Sequence, residues 1–379
     1  MKRKSEKPRR TTPDELVDAG RRHIDRGELA EAEACFRQAL ALAPGHLGIV
    51  TLLGMLLVER DDFDAAIELL ETAREAAPAF APVQLALGSA YAGAGHDDLA
   101  VAAMEVAIKL DTTSTIPLER LAKHHIVERR PREAIGLLRR VLRRDPVHAD
   151  AQFLLAGLTR GQPAGEGEQR PSTPASPPPA LIADLFDAYA AKFDEHLVEK
   201  LQYSAPRALA AMLAGIAPPG GAWRVVDLGC GTGLAGVELR PFAHTLIGAD
   251  LSPRMIARAR ERRVYDALHV EELSATLARE RDLDLVVAAD VFIYVGVLDA
   301  AFAGCAAALR PGGLLAFSIE RSDRDDVVLD ATLRYSHSED YLRRLASTHG
   351  FSIVRAEAAT LRVEDARPVE GQLYVLRRD

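Results

Sequence analysis

The sequence is poor in cysteine, in aromatic residues and in long apolar runs. Its three cysteines, Cys35, Cys230 and Cys305, lack CxxC spacing and so support neither a disulfide framework nor a metal site. No stretch reaches the roughly 18 apolar residues that a membrane-spanning helix needs. These absences predict a cytoplasmic protein without a bound metal.

An excess of positive charge is also missing. Lys and Arg number 47 against 55 Asp and Glu, a formal net charge of −8, so no general attraction to nucleic acid or acidic membranes is expected. The basic residues at 1–12 are expected to form a disordered tail, because no basic surface continues beyond them; the alternative is a tail that contacts nucleic acid or lipid.

The sequence does contain a repeat of 34 residues, which runs from Pro13 to about Pro146. A small residue, an alanine, a large apolar residue and a closing proline recur in it. They are Gly20, Gly54, Gly88 and Ala122; Ala32, Ala66, Ala100 and Ala134; Phe36, Leu70, Met104 and Leu138; and Pro44, Pro78 and Pro146, with Thr112 replacing one proline. Each unit is predicted to form two helices that cross closely at the small residues, with proline ending the second helix.

This segment resembles the tetratricopeptide repeat family in all four units. The resemblance implies an all-α solenoid over residues 13–160, with Ala149 to Leu158 as a partial fifth unit or capping helix. It also implies a concave face that binds a protein or peptide partner. The alternative is a solenoid that only packs on its own catalytic domain.

A linker rich in Pro, Gly and Ser is predicted at 161–180, followed by a second domain at 181–379. From Trp223 onward, strand-like runs such as RVVDLG, TLIGAD, LDLVVAAD and LLAFSIE alternate with helical stretches. This alternation predicts an α/β domain with a parallel sheet and helices on both faces.

The stretch VVDLGCGTGLAG, residues 225–236, fits two glycine patterns. From Gly231 it is G-x-G-x-x-G, a dinucleotide fingerprint; from Asp227 it is D-x-G-x-G-x-G, the pattern of S-adenosylmethionine sites. Both place a tight turn before a helix whose free N–H groups face a nucleotide-like ligand. Asp227 favours the methyl donor, because a carboxylate there repels a pyrophosphate but can help to hold an ammonium and a sulfonium.

Further residues are expected to contact the nucleoside. Asp250, followed by Leu251, ends the second strand, where a carboxylate can accept hydrogen bonds from both ribose hydroxyls of either ligand. Met255 is expected either against the adenine or in the core. Glu272 with Leu273 is the preferred pair for the adenine amino group.

Residues 181–379 resemble a class I S-adenosylmethionine-dependent methyltransferase. The resemblance rests on VVDLGCGTG at 225–233, GADLS at 248–252, DLVVAADVFIYVG at 284–296 and LRPGGLLAFSIE at 309–320. It implies a Rossmann-like, seven-stranded and mostly parallel sheet, with QLYVLRR as an antiparallel seventh strand. It also implies S-adenosyl-L-methionine as the donor, S-adenosyl-L-homocysteine as the product, and a donor loop that contains Gly229, Cys230, Gly231 and Gly233.

With the repeats and LFDAYAAKFDEHLVEKLQYSAP at 185–206, nearly the whole chain resembles a group of bacterial predicted methyltransferases with tetratricopeptide repeats. That resemblance names no substrate. Tyr189, Phe193 and His196 in this stretch share one helical face. The face is either a packing surface or a lid over donor and acceptor.

Methyl transfer depends on positioning, and a base is needed only when the acceptor must lose a proton. No catalytic triad is visible. By resemblance, Asp290 lies near the methyl group and the methionine moiety, while Phe292 and Tyr294 line the acceptor site. The alternative for these residues is a capping aspartate and core aromatics.

A second group of acceptor candidates lies in ATLRYSHSEDYL. Arg334 is expected to hold an acceptor carboxylate, with Tyr335 beside it, and His337 to act as a base. The catalytic candidates are therefore His337, Tyr294 and His196. A lone loop histidine is more often a surface or capping residue.

The sequence thus predicts a methyltransferase with a small-molecule or protein acceptor, whose repeats bind a protein partner. The alternative is a non-catalytic scaffold or sensor whose Rossmann-like domain binds S-adenosylmethionine or NAD.

Overall fold

The structure is a computed structural model that describes residues 11–160, 174–190, 193–194, 197, 201–217, 219–323, 325–364 and 367–379. Contacts divide the chain into two units, Met1–Ala151 and Gln152–Asp379. The division falls inside the helix predicted to cap the repeats, at Ala149–Leu158. The predicted tail at 1–12 is described only at its last two residues, and the predicted linker at 161–180 only from residue 174.

The first unit consists of helix pairs. Its helices are α1 (Pro13–Ile24), α2 (Leu29–Leu42), α3 (Leu47–Glu59), α4 (Phe63–Ala76), α5 (Ala81–Gly93), α6 (Asp97–Leu110), α7 (Ile116–Val127) and α8 (Pro131–Arg144), and α9 (Ala149–Leu158) follows. The order of two helices per 34 residues confirms the predicted repeat architecture.

The small and large repeat residues meet inside each pair. A Cβ built on Gly54 of α3 would lie 2.7 Å from Leu70 Cδ2 of α4, and one on Gly88 of α5 would lie 2.6 Å from Met104 Cγ of α6. The glycine therefore lets the large side chain of the second helix reach the backbone of the first. This contact explains why the two positions alternate between the smallest and a large residue.

The prolines stand two residues beyond the ends of α2, α4 and α8, where they prevent the helix from continuing. At the equivalent place after α6, Asp111 and Thr112 end the helix without proline. The Asp111 carboxylate accepts hydrogen bonds from the backbone N–H groups of Thr113 and Ser114 at 3.0 and 2.9 Å. A side-chain turn thus replaces proline there.

Gly54→Val is expected to destabilise the repeats by about 1–3 kcal/mol, because the new side chain overlaps Leu70. The matched control is Gly136→Ala on α8, where an added Cβ meets nothing within 4 Å. That change should stabilise the helix by roughly 0.5–1 kcal/mol. Thermal unfolding followed by helical circular dichroism would check both, and equal midpoints for the two variants would contradict the packing explanation.

The second unit is built on one twisted sheet. Its strands are β1 (Trp223–Leu228), β2 (Ala243–Asp250), β3 (Ala267–Val270), β4 (Leu283–Ala288), β5 (Leu309–Arg321), β6 (Val327–Leu329), β7 (Tyr335–His337), β8 (Phe351–Glu364) and β9 (Arg367–Arg378). Strands β1 to β5 pair in parallel in the order 3-2-1-4-5. Next to β5, β9 pairs antiparallel and then carries β8.

The predicted QLYVLRR strand is confirmed as an antiparallel member of the sheet, since Gln372–Arg378 lies in β9. The described residues form nine strands instead of the expected seven, because β6 and β7 form a short extra hairpin at the end of β5. Buried β-branched and leucine side chains fill β1 and β4, which are covered on both faces.

Helices pack on both faces of this sheet. They are α11 (Ala205–Ala214), α12 (Leu234–Leu239), α13 (Pro253–Glu261), α14 (Leu273–Arg279), α15 (Asp299–Ala308) and α16 (Glu339–Thr348), while α10 (Pro179–Tyr189) packs on α13. This confirms the predicted α/β class. The carboxyl ends of β1, β2 and β4 therefore meet at one edge, where such sheets bind ligands. Among the described helices, none is both long enough and apolar enough to cross a membrane.

Candidate active site

The glycine loop connects β1 to α12 at the carboxyl edge of the sheet. Gly229, Gly231 and Gly233 have φ values of 58°, 53° and 89°, in the left-handed region that favours glycine. A Cβ on Gly229 would also lie 2.6 Å from Val291 Cγ2, in the segment after β4. The loop thus needs glycine both for its turns and for its contact with the neighbouring segment.

Asp227, near the end of β1, is 1% exposed. Its Oδ2 accepts a hydrogen bond from the Tyr265 hydroxyl at 2.6 Å, whereas its Oδ1 is buried without a partner among the described residues. Burial raises the pKa of Asp227 to about 7, although the Tyr265 hydrogen bond lowers it. A buried carboxylate with an unpaired oxygen is stabilised by a cation, so the site fits the ammonium group of S-adenosylmethionine.

Asp250, at the end of β2, is bound to the same loop. Its Oδ2 accepts from the Gly231 N–H and its Oδ1 from the Ser252 N–H, both at 2.9 Å. Burial raises the pKa of Asp250. Each carboxylate oxygen can accept a second hydrogen bond, so Asp250 can shape the loop and still bind ribose hydroxyls.

The segment before β1 lies over this loop. Asp187 of α10 accepts hydrogen bonds from the Ser252 hydroxyl and from the Arg254 N–H, the latter at 3.1 Å. Asp194 accepts from the Thr232 hydroxyl of the glycine loop and pairs with Arg262. Two carboxylates therefore attach this segment to the loop and to α13.

Aromatic rings accompany these polar contacts. The Phe193 ring lies 3.7 Å from the place where a Cβ on Gly231 would stand. Phe186 makes edge-to-face contacts with Phe193 and with Tyr294, at ring-centroid distances of 6.3 and 5.1 Å. These contacts favour the lid interpretation, while the Tyr189 side chain and His196 lie outside the described residues.

Asp290 follows β4 in a left-handed conformation, with φ of 55°. Its N–H donates to Ser318 Oγ at 2.7 Å, and the Ser318 hydroxyl donates to Asp290 Oδ1 at the same distance. Arg362 Nη1 donates to Asp290 Oδ2 at 3.1 Å. Side chains from β5 and β8 thus hold Asp290 at the edge of the sheet, although burial raises its pKa.

A buried ion cluster surrounds this aspartate. Arg362, on β8, is 5% exposed and pairs with Asp290, Glu320 and Glu364. Arg334 pairs with Glu364 at 2.6 Å and with Glu320 at 3.4 Å. Hydrogen bonds from the two arginines lower the pKa of Glu364 to about 2. Arg334, expected to hold an acceptor carboxylate, is therefore already paired with two carboxylates of the chain.

Sequence reasoning missed Arg362, Glu320 and Ser318. The available signal was polar side chains in strands that are otherwise apolar, as in LLAFSIE and TLRVE. A buried charge needs a partner, but the spacing along the chain does not reveal that partner.

Two tyrosine hydroxyls belong to the same region. Burial raises the pKa of Tyr294 and of Tyr203, and the Asp290 carboxylate raises both further. Asp227 acts on Tyr203 in the same direction. Tyr203, which precedes α11 and was not predicted as a site residue, is therefore coupled electrostatically to Asp227 as well as to Asp290.

Several predicted residues are placed in the core instead. Phe292 is fully buried among Phe302 and Phe317, and Met255 is fully buried on α13. Tyr335 is fully buried too, and its hydroxyl donates to the Pro174 carbonyl at 2.9 Å. These positions match the core alternatives, so the proposed contacts of these residues with substrate or adenine stay predictions that the geometry does not support.

His337 is fully buried at the end of β7. Its Nε2 lies 2.8 Å from the Gly296 carbonyl and 3.1 Å from that of Val295, and burial lowers its pKa. A neutral ring that donates from Nε2 to these carbonyls explains the contacts. The base role of His337 stays a prediction without support from this geometry.

The remaining donor candidates divide into inner and outer positions. Cys230 is buried against Ile256 and Ala259, and its N–H donates to the Ala249 carbonyl at 3.0 Å. Leu273 packs against the main core. Leu251 is half-buried, and Glu272 is exposed at the start of α14. Leu251 and Glu272 thus keep solvent-accessible surface at the carboxyl edge of the sheet, where a ligand could contact them.

Three family models match the chain. Residues 226–315 match a model described as a methyltransferase domain, and residues 23–84 and 120–164 match two models described as tetratricopeptide repeats. The chain carries a methyltransferase domain and tetratricopeptide repeats. The matches confirm both predictions, and S-adenosylmethionine is the methyl donor expected of this domain.

A ubiquinone biosynthesis O-methyltransferase of Rhodopseudomonas palustris is 34% identical over 96 residues, which are 24% of this chain and 37% of that relative. Among solved structures, magnesium protoporphyrin IX methyltransferase of Synechocystis PCC 6803 with bound SAH is 17% identical, with a TM-score of 0.42 over 53% of this chain and 99% of that one. An S-adenosylmethionine-dependent methyltransferase of Mesorhizobium loti is 24% identical, with a TM-score of 0.36 over 45% and 96%. The chain thus spans 37% of the length of the curated relative.

Asp227→Asn is expected to stabilise the ligand-free protein more at pH 8 than at pH 5. The pKa of Asp227 is raised from 3.8 to about 7 in the folded state. The protonated Asp227 side chain therefore contributes to the free energy of unfolding in full below pH 3.8, the pKa of the unfolded state. This contribution is lost as the pH rises through about 7, the pKa of the folded state. Thermal midpoints of both proteins at the two pH values would test this, at roughly 2–4 °C per kcal/mol. An equal gain at both pH values would contradict the burial of an ionising carboxylate.

Proposed function

We propose that this chain is an S-adenosylmethionine-dependent methyltransferase that acts on a small molecule or a protein side chain. The observation that carries the proposal is Asp227, whose Oδ1 is buried and unpaired among the described residues at the start of the glycine loop. A pyrophosphate would be repelled there, whereas a cationic group compensates the charge. The methyltransferase-domain match over residues 226–315 supports the same conclusion.

In this proposal, Asp227 holds the donor ammonium and Asp250 the ribose hydroxyls, while the glycine loop allows close backbone approach. When bound, the donor supplies a methyl group on a positively charged sulfur. Phe193 lies against the loop at Gly231, and Asp194 accepts a hydrogen bond from the Thr232 hydroxyl, so both would lie next to a bound donor. The contribution of the chain is mainly to orient donor and acceptor.

The acceptor is proposed to lie beside Asp290, Tyr294 and Tyr203. Because burial raises the pKa of both tyrosines, they keep their protons near neutral pH and can donate hydrogen bonds to an acceptor. Arg334 and Arg362 already pair with three carboxylates, so a neutral hydroxyl or amine suits this region better than an anion. The name of the O-methyltransferase relative makes a hydroxyl the first class to test.

The repeats are proposed to bind a protein partner. A groove is lined by residues from α1, α3 and the start of α5, which are the first helices of successive pairs. Its lining combines charged and apolar side chains, including Asp18, Arg21, His46, Leu52 and Phe80. Such a mixed surface suits a peptide segment with both apolar and charged side chains.

Isothermal titration with S-adenosylhomocysteine and with NAD tests the donor site. Wild-type protein is expected to bind the former, and Asp227→Ala should weaken binding roughly 10- to 100-fold, because a hydrogen-bonded charge is lost. Glu261→Gln, at an exposed carboxylate at the end of α13, is the matched control and should leave affinity unchanged. Tight NAD binding without S-adenosylhomocysteine binding would refute the proposal.

Methyl transfer itself is tested with labelled donor and cell extract. Label in protein or in small molecules would identify the acceptor class, and candidate hydroxyl compounds can then be assayed directly. Donor binding without transfer to any fraction would favour the alternative of a non-catalytic sensor.

Residues 152–379 alone are expected to bind S-adenosylhomocysteine with the affinity of the full chain, because all proposed donor contacts lie in the second unit. A chain that starts at residue 181 should have a lower thermal midpoint. It loses Phe153, whose ring packs on Tyr335 at a centroid distance of 6.2 Å. Titration and thermal unfolding of both chains check this. Loss of binding in residues 152–379 would show that the repeats contribute to the donor site.

A further inference from the structure

Tyr265 lies between α13 and β3, and its ring is surrounded by glycines from three elements. A Cβ on Gly236 of α12 would lie 2.3 Å from the ring Cζ, and one on Gly248 of β2 would lie 2.9 Å from Cε1. One on Gly233 of the glycine loop would lie 3.0 Å from Cε2. Contacts under 3.0 Å are not seen for real Cβ atoms, so the ring occupies space that only glycine leaves open.

The position of the ring determines where its hydroxyl lies. The Tyr265 hydroxyl donates to Asp227 Oδ2 at 2.6 Å, and this is the one hydrogen bond of the Asp227 carboxylate among the described side chains. The two residues are 38 positions apart in sequence. The buried carboxylate is thus held on one oxygen, which leaves Oδ1 unpaired.

We propose that Tyr265 is a positioning residue for donor binding, which fixes the Asp227 carboxylate through its hydroxyl, and that Gly236 is required because the Tyr265 ring occupies its side-chain space. The inference rests on the proposed function. It gives a role to the last glycine of G-x-G-x-x-G, which donor binding alone leaves unexplained. In a dinucleotide site that glycine allows close packing of helix and strand, whereas here Gly236 leaves room for the Tyr265 ring.

The same hydrogen bond affects the charge of Asp227. The ionisable groups that act on Asp227 or respond to it are Tyr265, Asp250, Cys230 and Tyr203. Of these, the Tyr265 hydrogen bond lowers the pKa of Asp227, while the Asp250 charge raises it. Removing the hydroxyl therefore leaves a larger fraction of Asp227 protonated near pH 7, and that proton must leave when a cationic ligand binds.

Tyr265→Phe tests the proposal, because it keeps the ring and removes only the hydroxyl. S-adenosylhomocysteine is titrated calorimetrically at pH 7 and at pH 8.5, in two buffers with different ionisation enthalpies, which yields both affinity and protons released. The variant should bind roughly 10-fold or more weakly at pH 7, release more protons than wild type, and regain part of the lost affinity at pH 8.5. A purely structural role would weaken binding equally at both pH values.

Tyr341→Phe is the matched control, since that tyrosine also donates to an aspartate, Asp299, at 3.2 Å, but outside the site. It should leave affinity and proton release unchanged. Wild-type affinity and proton release in Tyr265→Phe would overturn the inference while leaving the proposed function intact. Absence of binding in the wild-type protein would overturn both.

Gly236→Ala provides an independent test through the ring. It should weaken binding to at least the extent of Tyr265→Phe, since the new methyl group displaces the tyrosine. In a Tyr265→Leu background, the same change should cost little further affinity. An additive loss in the double variant would overturn the role assigned to Gly236, and thermal midpoints would show whether each variant is folded.

Discussion

The proposed donor site depends on one buried carboxylate. Asp227 brings a charge into the interior at the end of β1, where the described chain supplies one hydrogen bond and no cation. Such a group makes the ligand-free protein less stable and gives a cationic ligand its binding energy. The buried carboxylate also constrains the surrounding glycines. Only residues without a side chain let the backbone and the Tyr265 ring approach Asp227 this closely.

The proposed acceptor region is organised differently. There two arginines, Arg362 and Arg334, face three carboxylates, those of Asp290, Glu320 and Glu364, so every charge in the cluster has a partner of opposite sign. Tyr203 is linked electrostatically to both regions, because burial raises its pKa and the Asp290 and Asp227 carboxylates raise it further. In the proposed function, the unpaired Asp227 oxygen attracts the cationic end of the donor, and the tyrosine hydroxyls remain available to the acceptor.

Local patterns in the sequence predicted much of this fold. The 34-residue period, the glycine turns after β1 and the alternation of strands and helices depend on neighbours in the chain. The partners of Asp227 and Asp290 could not be predicted in this way, because Tyr265 and Arg362 lie 38 and 72 positions away. Spacing also did not reveal which way a side chain faces, so His337, Tyr335 and Phe292 were predicted in the site but are buried. The extra β6–β7 hairpin had no distinct sequence signal.

The ion cluster has a consequence for how this protein can change over evolutionary time. Its five members come from the loop after β4, from β5, from the residue before β7 and from β8. Loss of either arginine leaves buried carboxylates without their cation, at a cost of about 3–5 kcal/mol. Single replacements of these arginines are therefore expected to destabilise the fold whatever their effect on the chemistry. A new acceptor specificity in this region is expected to need paired substitutions that conserve charge.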